Sequence, residues 1–106
     1  MKHNKYGANK VTAPDGQVFD SRKEYSRWCD LRLLERAGKI TNLKRQIPFE
    51  LIPKQDGEKA CTYIADFVYW ENGSPVVEDC KGYRTAAYRI KRKLMLYMHN
   101  IKIKET

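Results

Sequence analysis

The dipeptide Asn72-Gly73 restricts the possible folds of this chain more than any other feature in it. It separates two β-prone runs, "CTYIADFVYW" and "VVEDCKG". Asn-Gly accepts the two consecutive left-handed conformations that a tight hairpin turn demands, which most residue pairs resist. "ENGSP" is therefore the expected turn of a β-hairpin, with Pro75 tolerable at the start of a strand. A two-residue loop sets the register: Glu71 faces Ser74, Trp70 faces Pro75 and Val68 faces Val77. The same count puts Asp66 opposite Asp79 and Ile64 opposite Lys81, and a four-residue loop centred on the turn keeps that register.

Strand alternation sorts the second run. Val77, Asp79 and Lys81 share one face, and Glu78 and Cys80 share the other. Two aspartates directly opposed in a sheet repel, the more so in a partly dry site. Such a pair makes sense if a divalent cation sits between the acids or if one of them is protonated. Hard cations such as Mg2+ prefer a few carboxylate oxygens, backbone carbonyls and several waters. Lys81 is then placed to steady a phosphate oxygen or to orient an attacking water. The plainer alternative is a solvated hairpin in which Lys81 simply pairs with Asp79.

The remaining elements follow from local patterns. Residues 1–10 are polar and basic and read as a mobile arm, and residues 11–106 as a single domain. "KVTAPDGQVFDS" carries two short β-prone runs around Asp15-Gly16, the signature of a small hairpin. A helix is expected over roughly residues 21–37, opened by a capping box of Ser21 and Glu24 and stopped by Gly38. Glu24, Trp28, Leu31 and Glu35 lie along one side of it. "NLKRQIPFELIP" is the first long strand, with Ile47, Phe49 and Leu51 alternating. "RTAAYRIKRKLMLYMHN" is a second helix, with Ala87, Ile90, Leu94 and Tyr97 on its apolar face and Arg89, Arg92 and Lys93 on another. "IKIKE" is a short strand suited to an edge. The expected fold is α/β of the α+β type: a mixed four-stranded sheet flanked by helices, in order α-β-β-β-α-β, after a short N-terminal hairpin.

Charge narrows the partner. Lys and Arg number 21 against 13 Asp and Glu in 106 residues, a net charge of +8 that suits a polyanion such as nucleic acid. Cys29, Cys61 and Cys80 are odd in number and widely spaced, which favours neither a disulfide framework nor a zinc site and fits a reducing cytoplasm. "MKHNKYGANK" lacks the apolar core of a secretory signal, and no run approaches the roughly 20 apolar residues of a membrane span.

A helical acid, a strand with "AD-F", a turn, and hydrophobic residues ending in "D-C-K" resemble the PD-(D/E)XK nuclease superfamily. Asp66 matches its first acid, Asp79-Cys80-Lys81 its acid-x-Lys triplet and Glu24 its helical acid. The run "RQIPFEL…YIADFVYW…VVEDCKG" resembles the TnsA-type transposase endonuclease subunit. It is similar as well to small phage and prophage nucleases related to Holliday-junction resolvases. The likeness covers roughly residues 17–105; it departs at Ala65, where a proline is usual, and in the adjacent acid Glu78.

This resemblance implies a restriction-endonuclease-like core and a Mg2+- or Mn2+-dependent endodeoxyribonuclease that hydrolyses DNA phosphodiester bonds. It also implies a phage-encoded enzyme of recombination, acting on branched DNA such as a Holliday junction. Glu24, Asp66, Asp79 and Lys81 would be catalytic. Asp66, Asp79 and the Cys80 carbonyl would hold the metal, with Glu24 joining directly or through water. DNA is the implied partner, together with a second copy of the chain and other recombination proteins, in the cytoplasm of a bacterial host. The alternative is a DNA-binding module that does not cut, or a nuclease subunit of a larger recombination, transposition or packaging assembly.

Several residues carry two readings. Glu24 is a helix cap partner as well as a candidate site acid. Gln46 either contacts the site or merely begins a strand. Cys80 is turned from Asp79 by strand parity, which speaks against a nucleophile. Arg84 and Thr85 stand at the start of the second helix, a phosphate-binding place, and Arg89, Lys91, Arg92 and Lys93 follow as DNA-backbone contacts or as a solvated face. Trp28, Tyr63, Phe67, Tyr69 and Trp70 read as core or interface, and His3 and His99 as surface residues.

Overall fold

A computed structural model describes residues 9–81 and 83–106; residues 1–8, with most of the expected basic arm and His3, and Gly82 lie outside the described residues. The element order is β1 (Val11–Thr12), β2 (Val18–Phe19), α1 (Arg22–Arg36), β3 (Thr41–Ile52), β4 (Cys61–Glu71), β5 (Ser74–Asp79), α2 (Ala86–His99) and β6 (Lys104–Glu105). β1 and β2 form a separate antiparallel hairpin, and the main sheet runs β3-β4-β5-β6. Its first three strands are antiparallel and β6 joins β5 in parallel after the crossover through α2. This is the expected α+β order. Among the described residues no helix is long and apolar enough to cross a membrane.

Local chemistry explains the boundaries. Ser21 Oγ accepts the N–H of Glu24 at 3.1 Å and starts α1. The helix closes when Gly38, at φ 76°, lets its own N–H reach Glu35 O and that of Lys39 reach Leu34 O, at 3.0 and 2.9 Å. This is the paired C-terminal closure that a left-handed residue after the helix makes possible. Asn72 and Gly73 have φ of 52° and 77°, as a tight hairpin needs. The register is the expected one: Glu71 pairs with Ser74, Trp70 with Pro75 and Val68 with Val77.

The sheet is covered on both faces. On the α1 side Leu31, Ile40, Phe67 and Tyr69 form a buried cluster with Trp28, Val76 and Cys80 against it. On the α2 side Leu51, Tyr63, Ala65, Val77, Tyr88, Met95 and Ile103 form another. The neighbours Val76 and Val77 enter different clusters, as alternation requires. β4 behaves less simply. Its residues 63, 65, 67 and 69 are all buried in steps of two. Tyr63 and Ala65 nevertheless belong to the α2 side, and Phe67 and Tyr69 to the α1 side. The changeover falls at Asp66, bracketed by the pairs Arg45–Phe67 and Ile47–Ala65. Across from Asp66 on β3 stands Gln46, in the left-handed region at φ 54°. A non-glycine residue there costs about 1–2 kcal/mol, and its side chain is held from outside the strand by Glu24.

Two expectations are corrected. β5 ends at Asp79, so Ile64 does not pair with Lys81. The N–H of Cys80 turns instead to the Asp66 side chain, and that of Lys81 to Thr106 O. The buried side of α2 is also not the one expected. Tyr88 and Met95 are its buried residues and Leu94 is half-buried. Ala87 is exposed, Ile90 is 59% exposed and Tyr97 84% exposed. Tyr88 wins the inward position because its ring packs in the core while its hydroxyl finds an acid, a use of an amphipathic side chain that hydrophobic periodicity does not register.

A Cβ built on Gly73 meets nothing within 4 Å, so substitution there tests backbone conformation alone. Gly73→Ala is expected to lower unfolding free energy by about 1–2 kcal/mol, with Gly73→Asn costing less. Urea denaturation measures this, and equal stability of all three chains would exclude a left-handed residue at position 73.

Candidate active site

α1, β4 and the end of β5 each supply an acid to one place. Glu24 and Asp79 are 2% and 1% exposed, and Asp66 is half-buried between them, interacting with both carboxyls. Glu24 belongs both to the helix cap and to the cluster of acids. Its N–H takes part in the helix cap, while Oε1 accepts the N–H of Asp20 at 2.8 Å and Oε2 accepts Nε2 of Gln46 at 3.2 Å. The left-handed Gln46 thus touches the site through Glu24. Asp66 Oδ2 accepts the backbone N–H of Cys80 at 2.8 Å. Asp79 Oδ2 accepts the hydroxyl of Tyr63 at 2.5 Å. Lys81 Nζ stands 3.3 Å from Asp79 Oδ1, an ion pair without the alignment of a hydrogen bond; Oδ1 is buried and, among the described residues, receives no hydrogen bond.

This packing changes the acids. Burial pushes Asp79 up to about 7, and the neighbouring Asp66 carboxyl adds to the rise against Tyr63 and Lys81. Burial likewise pushes Asp66 up to about 6, with Glu24 adding and the contacts to Asp79 and the Cys80 N–H opposing. Two such carboxyls titrate as a pair, the charge on one favouring the proton on the other. Burial first, and Asp79 second, raise the Tyr63 phenol well above its ordinary value, so Tyr63 stays a donor.

Lys81 is held on its other side by an aromatic ring. Its ammonium lies 4.4 Å from the ring centroid of Tyr88. The Tyr88 hydroxyl donates to Glu105 Oε2 at 2.7 Å, and Arg84 and Arg92 pair with the same carboxylate at 3.0 and 3.1 Å. Tyr88 foremost, and the two arginines after it, hold the Glu105 carboxyl down to about 2. Of the expected DNA-contacting residues, Arg84 and Arg92 are therefore committed to Glu105, and Thr85 to capping α2 by accepting the Tyr88 N–H. Arg89 and Lys93 are exposed and Lys91 is half-buried.

Glu78 is buried on the opposite side, as parity suggested. Arg27 grips it with two bonds, of 2.6 and 3.0 Å, and the Tyr69 hydroxyl donates at 2.7 Å. Cys80 packs in the α1-side cluster, and burial raises its thiol to about 11, against a nucleophilic role. His99 is exposed, within 2.7 Å of Glu50 O. Tyr63, Tyr88 and Glu105 are the residues that sequence reasoning missed. An alternating strand marks Tyr63 as core without saying where its hydroxyl goes, and nothing short of the parallel pairing of Asp79 with Glu105 brings Glu105 to the site.

Among the described residues no group of three or more His, Cys, Asp or Glu side chains stands ready around a metal ion. Both Glu24 oxygens and Oδ2 of each aspartate are taken by protein donors, which leaves Oδ1 of Asp66 and Oδ1 of Asp79. Two carboxylate oxygens are a ligand count that suits Mg2+, which rarely takes an all-protein cage. The buried Asp79 Oδ1 that lacks a hydrogen bond makes the same case.

The raised carboxyls give a signed pH dependence. Both bind protons more tightly folded than unfolded, so their contribution to stability is complete below about pH 4 and is lost as pH rises through 6 to 7. Asp79→Asn is expected to raise Tm near pH 8 by roughly 3–8 °C, the gain shrinking towards pH 5. Thermal unfolding across that range measures it, and an Asp79→Asn chain less stable than wild type near pH 8 would contradict the arrangement.

No curated protein and no solved structure matches the chain. Residues 3–106 do match a family model, and the protein thus belongs to the family described as "Protein of unknown function (DUF1064)".

Proposed function

We propose that this protein is a metal-dependent endodeoxyribonuclease that hydrolyses phosphodiester bonds. What carries the proposal is the convergence of Glu24, Asp66 and Asp79 from separate elements beside Lys81, with the buried Asp79 Oδ1 left without a hydrogen bond. Neighbouring carboxyls whose burial and mutual charge oppose ionisation are more readily understood as a functional site than as a structural one. Oδ1 of Asp66 and Oδ1 of Asp79 would hold Mg2+ or Mn2+, with Glu24 adjoining through Asp66 and the Cys80 carbonyl available at the strand end. Bound there, the cation would supply Lewis acidity towards the phosphodiester and acidify a water. The protein's own part is to keep these oxygens fixed. Asp20 and Gln46 orient Glu24, the Cys80 N–H orients Asp66 and the Tyr63 hydroxyl orients Asp79. Lys81 brings a positive charge to the edge of the site, where it would steady a phosphate oxygen or orient the attacking water.

The net charge of +8 and the exposed Arg89 and Lys93 on α2 favour DNA as the substrate, bound through its backbone. Branched DNA is the preferred form, and cutting both strands of a duplex or junction would need two copies of the single site. The bacterial cytoplasm, which keeps thiols such as Cys29, Cys61 and Cys80 reduced, is the compartment this function implies.

Incubating the protein with supercoiled plasmid and with four-way junction DNA, in Mg2+, Mn2+ or EDTA, tests the proposal. Cleavage is expected with either metal and none with EDTA. Asp66→Ala and Asp79→Ala are each expected to slow cutting by about a hundredfold or more while DNA still binds in a gel shift. Binding without cutting under every condition would point to a DNA-binding module, and cutting unaffected by Asp79→Ala would overturn the site.

Backbone contact has its own signature. Arg89→Ala and Lys93→Ala are each expected to weaken binding to all sequences alike and to reduce the slope of log affinity against log salt by about 1. Fluorescence anisotropy at several salt concentrations measures that slope, and an unchanged slope would remove α2 from the interface.

A further inference from the structure

The Asp79 carboxylate is divided between two partners of different kind. The Tyr63 phenol, buried at 3% exposure, donates to Oδ2 at 2.5 Å. The Lys81 ammonium stands 3.3 Å from Oδ1, too poorly aligned for a hydrogen bond, with 28% of its side chain exposed. Tyr63 is part of the core, whereas Lys81 reaches in from a segment beyond the end of β5. The first partner is a fixture and the second can leave.

We propose that Tyr63 is a positioning residue that makes Asp79 a one-oxygen ligand, and that the Lys81 ammonium occupies the remaining oxygen as a latch which a divalent cation displaces. This rests on the nuclease reading above. Two positive charges at one buried carboxylate oxygen repel at short range, so the ammonium and the cation are alternatives there. The displaced ammonium does not go far. The Tyr88 ring, 4.4 Å away and anchored through its hydroxyl to Glu105 at 2.7 Å, attracts it independently of Asp79. Lys81 released from its carboxylate, but retained by the ring, is the form with a charge free for a substrate phosphate. The arrangement thus couples arrival of the metal to arming of the lysine.

Calorimetric titration of the intact protein with Mg2+, without DNA, reads this directly. Lys81→Met removes the competing ammonium and is expected to bind Mg2+ about tenfold more tightly than wild type. Tyr63→Phe removes the donor that favours the charged carboxylate and is expected to bind about tenfold more weakly. Damage to the fold would weaken binding in both, so opposite shifts are the diagnostic result. Lys81→Met binding no more tightly than wild type, in a protein that binds Mg2+ and cuts DNA, overturns the latch and leaves the nuclease standing. Tyr63→Phe binding as wild type does overturns the positioning role, and if that variant fails to fold by circular dichroism, Lys81→Met decides alone. A wild-type protein that neither binds Mg2+ or Mn2+ nor cuts DNA overturns the nuclease and the latch together.

Discussion

Burying Asp66 and Asp79 side by side costs free energy that a hairpin avoids wherever it is free to, and much of the surrounding structure can be understood as accommodating that cost. The Cys80 N–H leaves the strand ladder to bond Asp66. β5 therefore ends at Asp79, and the continuing chain is free to bring Lys81 to the Asp79 carboxylate. On the far side, the Tyr63 hydroxyl satisfies Oδ2 from within the core. These three contacts compensate the pair only in part. Both acids remain harder to ionise than ordinary carboxyls, and one oxygen receives no hydrogen bond. A fold selected for stability alone would have no reason to leave that residue of unfavourable energy in place.

The backbone shows a related imbalance. Gln46 sits in the left-handed region in the middle of a long strand, across from Asp66, where the buried residues of β4 pass from one core to the other. Strain of this kind persists only where surrounding structure over-determines it, and it gathers at sites of function. The strained residue here is the one whose side chain holds Glu24. Helix cap, left-handed strand residue and acid cluster are therefore one construction: Glu24 starts α1 by donating its backbone N–H to Ser21, and its carboxylate accepts the Gln46 side chain at the site.

Much of this was legible before the structure. Asn72-Gly73 has few conformations open to it, and from the turn alone the pairings back to Val68–Val77 follow by counting. Ser21, Glu24 and Gly38 bound α1 through backbone hydrogen bonds that depend on their chemistry rather than on tertiary context. The juxtaposition of Asp66 with Asp79 and the turning away of Glu78 were legible by the same counting, whereas Lys81 reaches Asp79 from beyond the end of β5 and not by the expected strand alternation. What was not legible depends on polar groups finding one another across the fold. Hydrophobic periodicity assigned α2 to a face with Ile90 and Tyr97, but Tyr88 faces inward because Glu105 accepts its hydroxyl and Lys81 lies on its ring. Arg84 and Arg92 looked available for phosphate until the parallel pairing of β5 with β6 brought Glu105 beside them. The end of β5 was overestimated because the competitor for its hydrogen bonds is a side chain, Asp66, rather than another strand.

Glu78 and Asp79 are both buried but are satisfied to different degrees. They are adjacent, of similar charge, and 0% and 1% exposed. Glu78 is fully answered: a bidentate guanidinium and a phenol occupy it, and Arg27 is correspondingly more strongly basic. Breaking such a pair would leave a lone buried charge, so its role is to hold α1 on the sheet. Asp79 has an ammonium at ion-pair distance that does not bond it, a neighbouring acid that opposes its ionisation, and an oxygen with no donor. Its surroundings are incomplete in the way expected of a group whose intended partner is exchangeable. Sequence adjacency placed the two acids on opposite faces; it is the degree to which each is satisfied there that separates their roles.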